Sequence, residues 1–203
     1  MPSTLPPEPE FGAPCVVEPS PDTLNLLAGR RSSSAQTLIA PAPDAEQLAD
    51  LLRLAARAPD HGKLNPWRFV ILEGAAKARF VEALRVMVPR QPNPDKAAAA
   101  LGKISAPPLT VAVISAPKPG KKPIWEQELS AGAVCTLMLV AADAMGFGAN
   151  WITDWYSYDP EALRLLGAGE GEKVAGFVHI GTCSEAPLER ARPDLAEIVS
   201  RWG

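Results

Sequence analysis

Histidine and cysteine are scarce in this chain, which has His61 and His179 and the three cysteines Cys15, Cys135 and Cys183 among 203 residues. The cysteines are odd in number and far apart, forming neither a metal knuckle nor a redox pair. That spacing argues against a disulfide-stapled domain and points to a reducing cytoplasm. Without a close His/Cys cluster, a zinc site built from side chains is not expected. A strong excess of one charge is missing as well: the formal net charge is −3. Nothing global then attracts nucleic acid or an anionic membrane, and any phosphate binding must come from a few placed residues. The first residues lack the basic start and apolar run of a secretory signal. The longest apolar stretch, Ala131 to Met145, is shorter than the roughly 20 residues that span a bilayer, so it reads as a buried helix.

Proline is plentiful, and it crowds the beginning. Pro2, Pro6, Pro7, Pro9, Pro14, Pro19 and Pro21 remove backbone donors and block a continuous helix, so residues 1–21 read as a mobile tail. The remainder, 22–203, is long enough for one substantial core and reads as a single domain. Asp22 is the expected cap of a first helix carrying Leu24, Leu26 and Leu27. Asp44 opens a second, whose leucines recur at helical spacing as far as Ala58-Pro59. Strands are expected over Trp67–Leu72, Leu109–Ile114 and Lys173–Gly181, and helices over 75–88, 95–104 and 124–145. A glycine cap at Gly146 ends the longest helix, a polar helix follows Asp159-Pro160, and a final amphipathic helix carries Leu195, Ile198, Val199 and Trp202. Helices mixed with three or four strands that lack hairpin turns make an α/β or α+β domain.

Two groups of residues could carry chemistry. Arg30, Arg31 and Ser32 place two guanidinium groups and a hydroxyl beside a helix end, a set suited to gripping a phosphate; taken alone, they read better as a solvated basic turn. In residues 57–69, Pro59 and Pro66 stiffen a loop that presents Arg57, Asp60, His61, Lys63 and Asn65, and Gly62 permits close backbone approach. Stiffness reduces the ordering cost of holding a planar ligand, although a surface loop with Trp67 in the core and Arg68 in solvent fits the same composition. His61 lacks a nearby nucleophile or second acid, so a contact role suits it better than general base. Gln127 and Glu128 could face a cavity or sit at a helix start. Trp151 and Thr153 could line a pocket, or Trp151 could be core.

In this order and at these spacings, the stretches GRRSSS (29–34), RAPDHGKLNPWRF (57–69), WEQELSAGAVCTLMLVAADAMGFGANW (125–151) and VAGFVHIGT (174–182) resemble the nitroreductase-like flavoproteins, and most closely the small single-domain branch. The resemblance implies an α+β fold, a three-layer α/β/α sandwich with a mixed central sheet, and a homodimer built on the long central helix. It implies FMN at the dimer interface and NADH or NADPH as reductant. The expected cycle is ping-pong: hydride passes to flavin N5, and an electron-poor acceptor such as a nitroaromatic or quinone then enters the same slot. The flavin carries the redox chemistry and no side chain need act as nucleophile.

Carried over by position, Arg30, Arg31 and Ser32 correspond to a phosphate and ribityl clamp. Arg57 and His61 correspond to flavin contacts, with Asp60, Asn65 and Trp67 as neighbours. Trp151, Ile152 and Thr153 correspond to a segment closing over the cofactor, and Ala141 to a position near the nicotinamide. Arg57 or Lys63 is the candidate for stabilising anionic charge near flavin N1. One departure stands out: close relatives often have arginine where Ile152 stands, so either Arg190 or Arg192 substitutes or the phosphate is held less tightly. Other flavin chemistry, namely dehalogenation, enone reduction or dehydrogenation, remains open, as does a flavin-binding regulatory dimer.

Overall fold

The computed structural model describes residues 5–120 and 122–203; residues 1–4 of the proline-rich tail, and residue 121, lie outside that description. The elements run α1 (Pro21–Gly29), β1 (Leu38–Ile39), α2 (Ala45–Ala55), β2 (Trp67–Glu73), α3 (Gly74–Met87), α4 (Pro94–Ser105), β3 (Leu109–Ser115), α5 (Ile124–Ala144), β4 (Gly148–Ile152), α6 (Pro160–Leu165), β5 (Lys173–Cys183) and α7 (Leu195–Ile198).

Local chemistry accounts for most of these boundaries. Asp44 and Gln47 form a reciprocal capping box at the start of α2. Asn93 caps α4, with Pro94 in its first turn. Gly146, at φ +81°, takes the left-handed conformation that ends α5. The first helix differs from expectation: its cap is Ser20, whose side chain accepts from the Thr23 amide. Pro21 then occupies the first turn, where its missing N–H costs nothing, and Asp22 sits inside the helix. The expected last helix is a single turn, and Leu195, Ile198, Val199 and Trp202 are all exposed. Among the described residues nothing covers them, and so short a helix gains little without packing.

The sheet has the order β1-β5-β3-β2, with β4 also pairing β5. Every pairing is antiparallel, which corrects the expectation of a mixed sheet while the α+β class stands. The parity of the crossovers explains it. Two helices, α3 and α4, separate β2 from β3 and reverse the direction. One helix, α5, separates β3 from β4 and keeps it, but β5 enters between those two and runs against both. β5 is therefore the central strand: β3 lies on one edge, and β4 followed by β1 on the other.

Helices cover both faces. On one, α2 and α5 pack Leu51, Val134, Cys135 and Met138 against Val111, Val113, Val178 and Ile180. On the other, α3, α4 and α6 pack Phe80, Leu84, Ile104 and Ala162 against Ala112, Ile114 and Phe177. The alternation along β3 and β5 sends successive residues to opposite cores. This makes three layers, with β3 buried along its whole length. Burial pushes the Cys135 thiol up to about 12, so it is an inert packing residue.

Among the described residues, no helix is long and apolar enough to cross a membrane. Residues 5–9 of the tail lie along α2, where the Arg53 guanidinium donates to the Pro6 carbonyl at 3.0 Å. Farther along the tail, the Phe11 ring stands 5.6 Å from Lys63 Nζ.

Candidate functional site

The basic turn after α1 is tied to the sheet by its own backbone. The Ser33 amide donates to the Ala149 carbonyl at 3.0 Å, the Asn150 side chain donates to the Ser33 carbonyl, and the Ser33 hydroxyl lies 3.0 Å from Cys183 Sγ. Residues 30–33 are thereby fixed beside β4, more than a hundred positions later in the chain. Arg30 reaches the Ser32 hydroxyl at 3.4 Å. Arg31 donates through Nε to the Leu188 carbonyl at 2.8 Å and lies 3.7 Å from Glu189. Arg192 donates to the Arg30 carbonyl at 3.3 Å and pairs with Glu189. Of the two arginines that could substitute at Ile152, the chain brings Arg192 to the turn, while the Arg190 backbone amide donates to the Glu189 carboxylate. Arg31 and Arg192 thus meet at the Glu189 carboxylate, beside a turn that also carries the Arg30 guanidinium and the Ser32 hydroxyl, donor types that suit a phosphate monoester.

The second group is held by the other end of α5. Ser130 donates to the Pro59 carbonyl at 2.6 Å, and His61 Nδ1 lies 2.6 Å from Glu126 Oε2. Within the loop, the Asp60 carboxylate accepts the Asn65 amide at 2.8 Å. Gly62, Lys63 and Asn65 are all left-handed, at φ 91°, 55° and 47°. For Lys63 and Asn65 that conformation is uncommon and requires such fixed contacts. Lys118 caps the Leu64 carbonyl. Gln127 is buried, accepting from the Lys118 amide at 2.8 Å and donating to the carbonyls of Lys118 and Lys122. It pins the strand-to-helix loop rather than facing a cavity. Glu128 pairs with Lys173 at 2.6 Å. Arg57 is exposed, and its guanidinium has no partner among the described residues. It borders a groove of about 750 Å³ that α2 shares with residues 5–9.

Trp151, 37% exposed, lies across Gly176 and donates from Nε1 to the Ala175 carbonyl at 3.1 Å. Its outer ring edge approaches Gly132 of α5. Ile152 is half-buried opposite Phe177. The exposed Thr153 accepts the Tyr158 hydroxyl at 3.1 Å. Trp67 is half-buried against the core. Ala141 is buried among the α2 and α5 side chains and presents almost no surface to a nicotinamide. Arg68 is not a solvated residue: its guanidinium grips Glu172 through two nitrogens, at 2.7 and 3.0 Å, and reaches the Gly167 carbonyl. Ser130 and Glu126 had no individual signal beyond lying on the first turns of a long helix.

The two groups do not meet within one chain. The loop is held at Glu126 and Ser130, whereas Arg30 acts electrostatically on Asp143 at the far end of α5. At the α-helical rise, Ser130 and Asp143 are roughly 20 Å apart along the axis.

A sequence model of the nitroreductase family matches residues 27–182. The chain belongs to this family. It is 38% identical over 163 residues to the Escherichia coli K12 protein "Putative NAD(P)H nitroreductase YdjA", a match that covers 79% of this chain and 88% of the relative. Among solved structures, a nitroreductase-like family protein from Bacillus cereus superposes with a TM-score of 0.76 at 21% identity, over 92% of this chain and 99% of that one. A nitroreductase with bound FMN from Bacteroides fragilis superposes with a TM-score of 0.69 at 22% identity, over 91% and 100%. These two likenesses establish the nitroreductase fold. The family match begins after the proline-rich start of the chain.

Proposed function

We propose that this nitroreductase-family chain is an FMN-dependent NAD(P)H oxidoreductase of electron-poor small molecules such as nitroaromatics and quinones. We further propose that it works as a homodimer in the cytoplasm, with residues 22–203 as the catalytic domain. The observation that carries the reading is the separation of the clamp from the loop along α5. A twofold axis across antiparallel α5 helices would bring Arg30, Arg31, Ser32 and Arg192 of one copy toward Arg57, Asp60, His61 and Asn65 of the other. Exposed apolar residues lie at both ends of that helix: Leu24 and Leu27 on α1, and Ile124, Trp125 and Leu129 on α5. Apolar surface of this kind suits a subunit interface.

In such a site the convergent guanidinium groups hold the phosphate, and the stiff loop and Trp151 confine a flat ring system. FMN, when bound, supplies the redox chemistry. The unpaired Arg57 guanidinium provides the cation that favours negative charge on the ring. Cross-complementation tests the composite site. Arg31→Ala and Arg57→Ala homodimers should each lose tight FMN binding, and refolding them together should restore it in about a quarter of the sites, because only one site of a mixed dimer keeps both halves. No recovery in dimers verified as mixed would refute the shared site. Protein that is colourless and takes up no FMN would refute the flavin reading, and acceptor screening with NADH or NADPH separates nitro and quinone reduction from other flavin chemistry.

A further inference from the structure

On the opposite side of the sheet from α5, a cleft of about 420 Å³ opens between α3 and the turn joining α4 to β3. Its most unusual wall is Lys77, 5% exposed and carrying its amine under the protein surface. Of the three donors of that ammonium, one is used, by the Pro107 carbonyl. No carboxylate pairs with it among the described residues, although buried cations normally have one. The charged groups facing it are Glu82 and Arg85 of its own helix, which pair with each other at 3.2 Å, and His179 of β5, which is neutral. Ser105 adds a hydroxyl, and Ala78, Val81, Ala106, Pro107 and Pro108 supply the apolar part of the wall.

We propose that this cleft binds a small organic monocarboxylate, its carboxylate paired with the Lys77 ammonium and its carbon skeleton lying against Val81, Pro107 and Pro108. A single cation at depth with apolar walls matches one negative charge on a hydrocarbon body. A phosphate dianion would carry an unmatched charge past Glu82 at the rim. Burial holds the Lys77 amine down at about 8, so a bound carboxylate also restores the stabilisation that the ammonium lost on leaving water. The site does not depend on the flavin reading, because a full sheet layer separates it from α5 and the loop.

Calorimetric titration of the full-length protein, in whatever flavin state it purifies, tests the proposal with butyrate and benzoate as probes. Saturable binding of one probe per chain is expected. It should weaken at least about tenfold in Lys77→Met, for butyramide in place of butyrate, and above the pH at which the ammonium is lost. Ala78→Trp keeps Lys77 and fills the cleft from its exposed rim, so it should abolish binding in a protein that still folds; Arg31→Ala should leave it unchanged. Absence of saturable binding, equal affinity in Lys77→Met or Ala78→Trp, or binding lost in Arg31→Ala would each overturn it.

Discussion

Trp151 occupies the space that a side chain at Gly176 would need: a Cβ built on Gly176 would fall 1.8 Å from the indole Nε1. The ring can lie flat on β5 and donate to the Ala175 carbonyl because that position is glycine. Gly176→Ala is therefore expected to lift Trp151 from the sheet, costing about 1–3 kcal/mol through forced displacement of packed groups. A lower urea midpoint with a red-shifted tryptophan emission would be the signature; an unchanged midpoint would contradict the close contact.

Arg31 and Arg192 converge on the same turn but have different anchors, the Leu188 carbonyl and the Arg30 carbonyl. Arg31→Ala should weaken FMN binding with the apoprotein still folded. Arg192→Ala should do the same if that residue makes up for Ile152. Each charge-assisted contact is worth about 1.5–3 kcal/mol, or roughly tenfold or more in affinity. Flavin fluorescence titration measures it, and an Arg192→Ala affinity equal to that of the parent would remove Arg192 from the clamp.

Asp60 shapes the loop by accepting the Asn65 amide while Asn65 sits at φ 47°. Asp60→Ala removes the acceptor that fixes that amide, at an expected cost of about 1 kcal/mol to stability and a larger loss in flavin affinity, because the loop must then be ordered on binding. Asp60→Asn keeps an acceptor oxygen and should recover most of both. Comparing thermal midpoints with FMN dissociation constants for the two variants checks this, and equal losses in both would show that the charge, not the turn, is what matters.

His179 is fully buried, its Nδ1 lies 2.8 Å from the Thr110 hydroxyl, and its Nε2 has no partner among the described residues. Burial, reinforced by the nearby Lys77 charge, holds the imidazole down at about 3 from an ordinary value of 6.5. Between those values the unfolded chain binds a proton that the folded chain refuses. Stability is thus highest above the unfolded value and falls as the pH drops toward the folded one, by at most about 1.4 kcal/mol per unit from this group. Urea unfolding between about pH 5 and about pH 7.5 should show the decline. Carboxylates contribute too, so the informative quantity is the difference from His179→Gln, whose slope should be shallower; parallel slopes would mean that the imidazole is protonated in the folded protein.

Much of the architecture was legible where chemistry is local. The Asp44 cap, the glycine after α5 and the β-branched run of β3 each act within a few residues, and the elements fall where they point. Residues whose state is decided by distant partners were harder to read. Nothing in the sequence sets Lys77 apart from the rest of its helix, and the turn at Pro107 buries it. Arg68 reads as solvated until Glu172 comes beside it. β4 follows a glycine stop with no alternation of its own and becomes a strand because β5 offers an edge. The clamp and loop residues were identifiable by type, but their placement at opposite ends of α5 depends on the tertiary fold.

The central place of β5 gives the chain an order of events. Three of its four fellow strands hydrogen-bond to it directly, yet it is the last strand in the sequence, Lys173–Cys183. During synthesis β2 and β3 can pair as soon as they emerge, while β1 and β4 wait with open edges for a partner that has not been made. Sheet closure is then a late, non-local event of the kind that slows folding and leaves aggregation-prone edges exposed. Ribosome stalling or premature termination before residue 173 would strand the nascent protein in its most adhesive form.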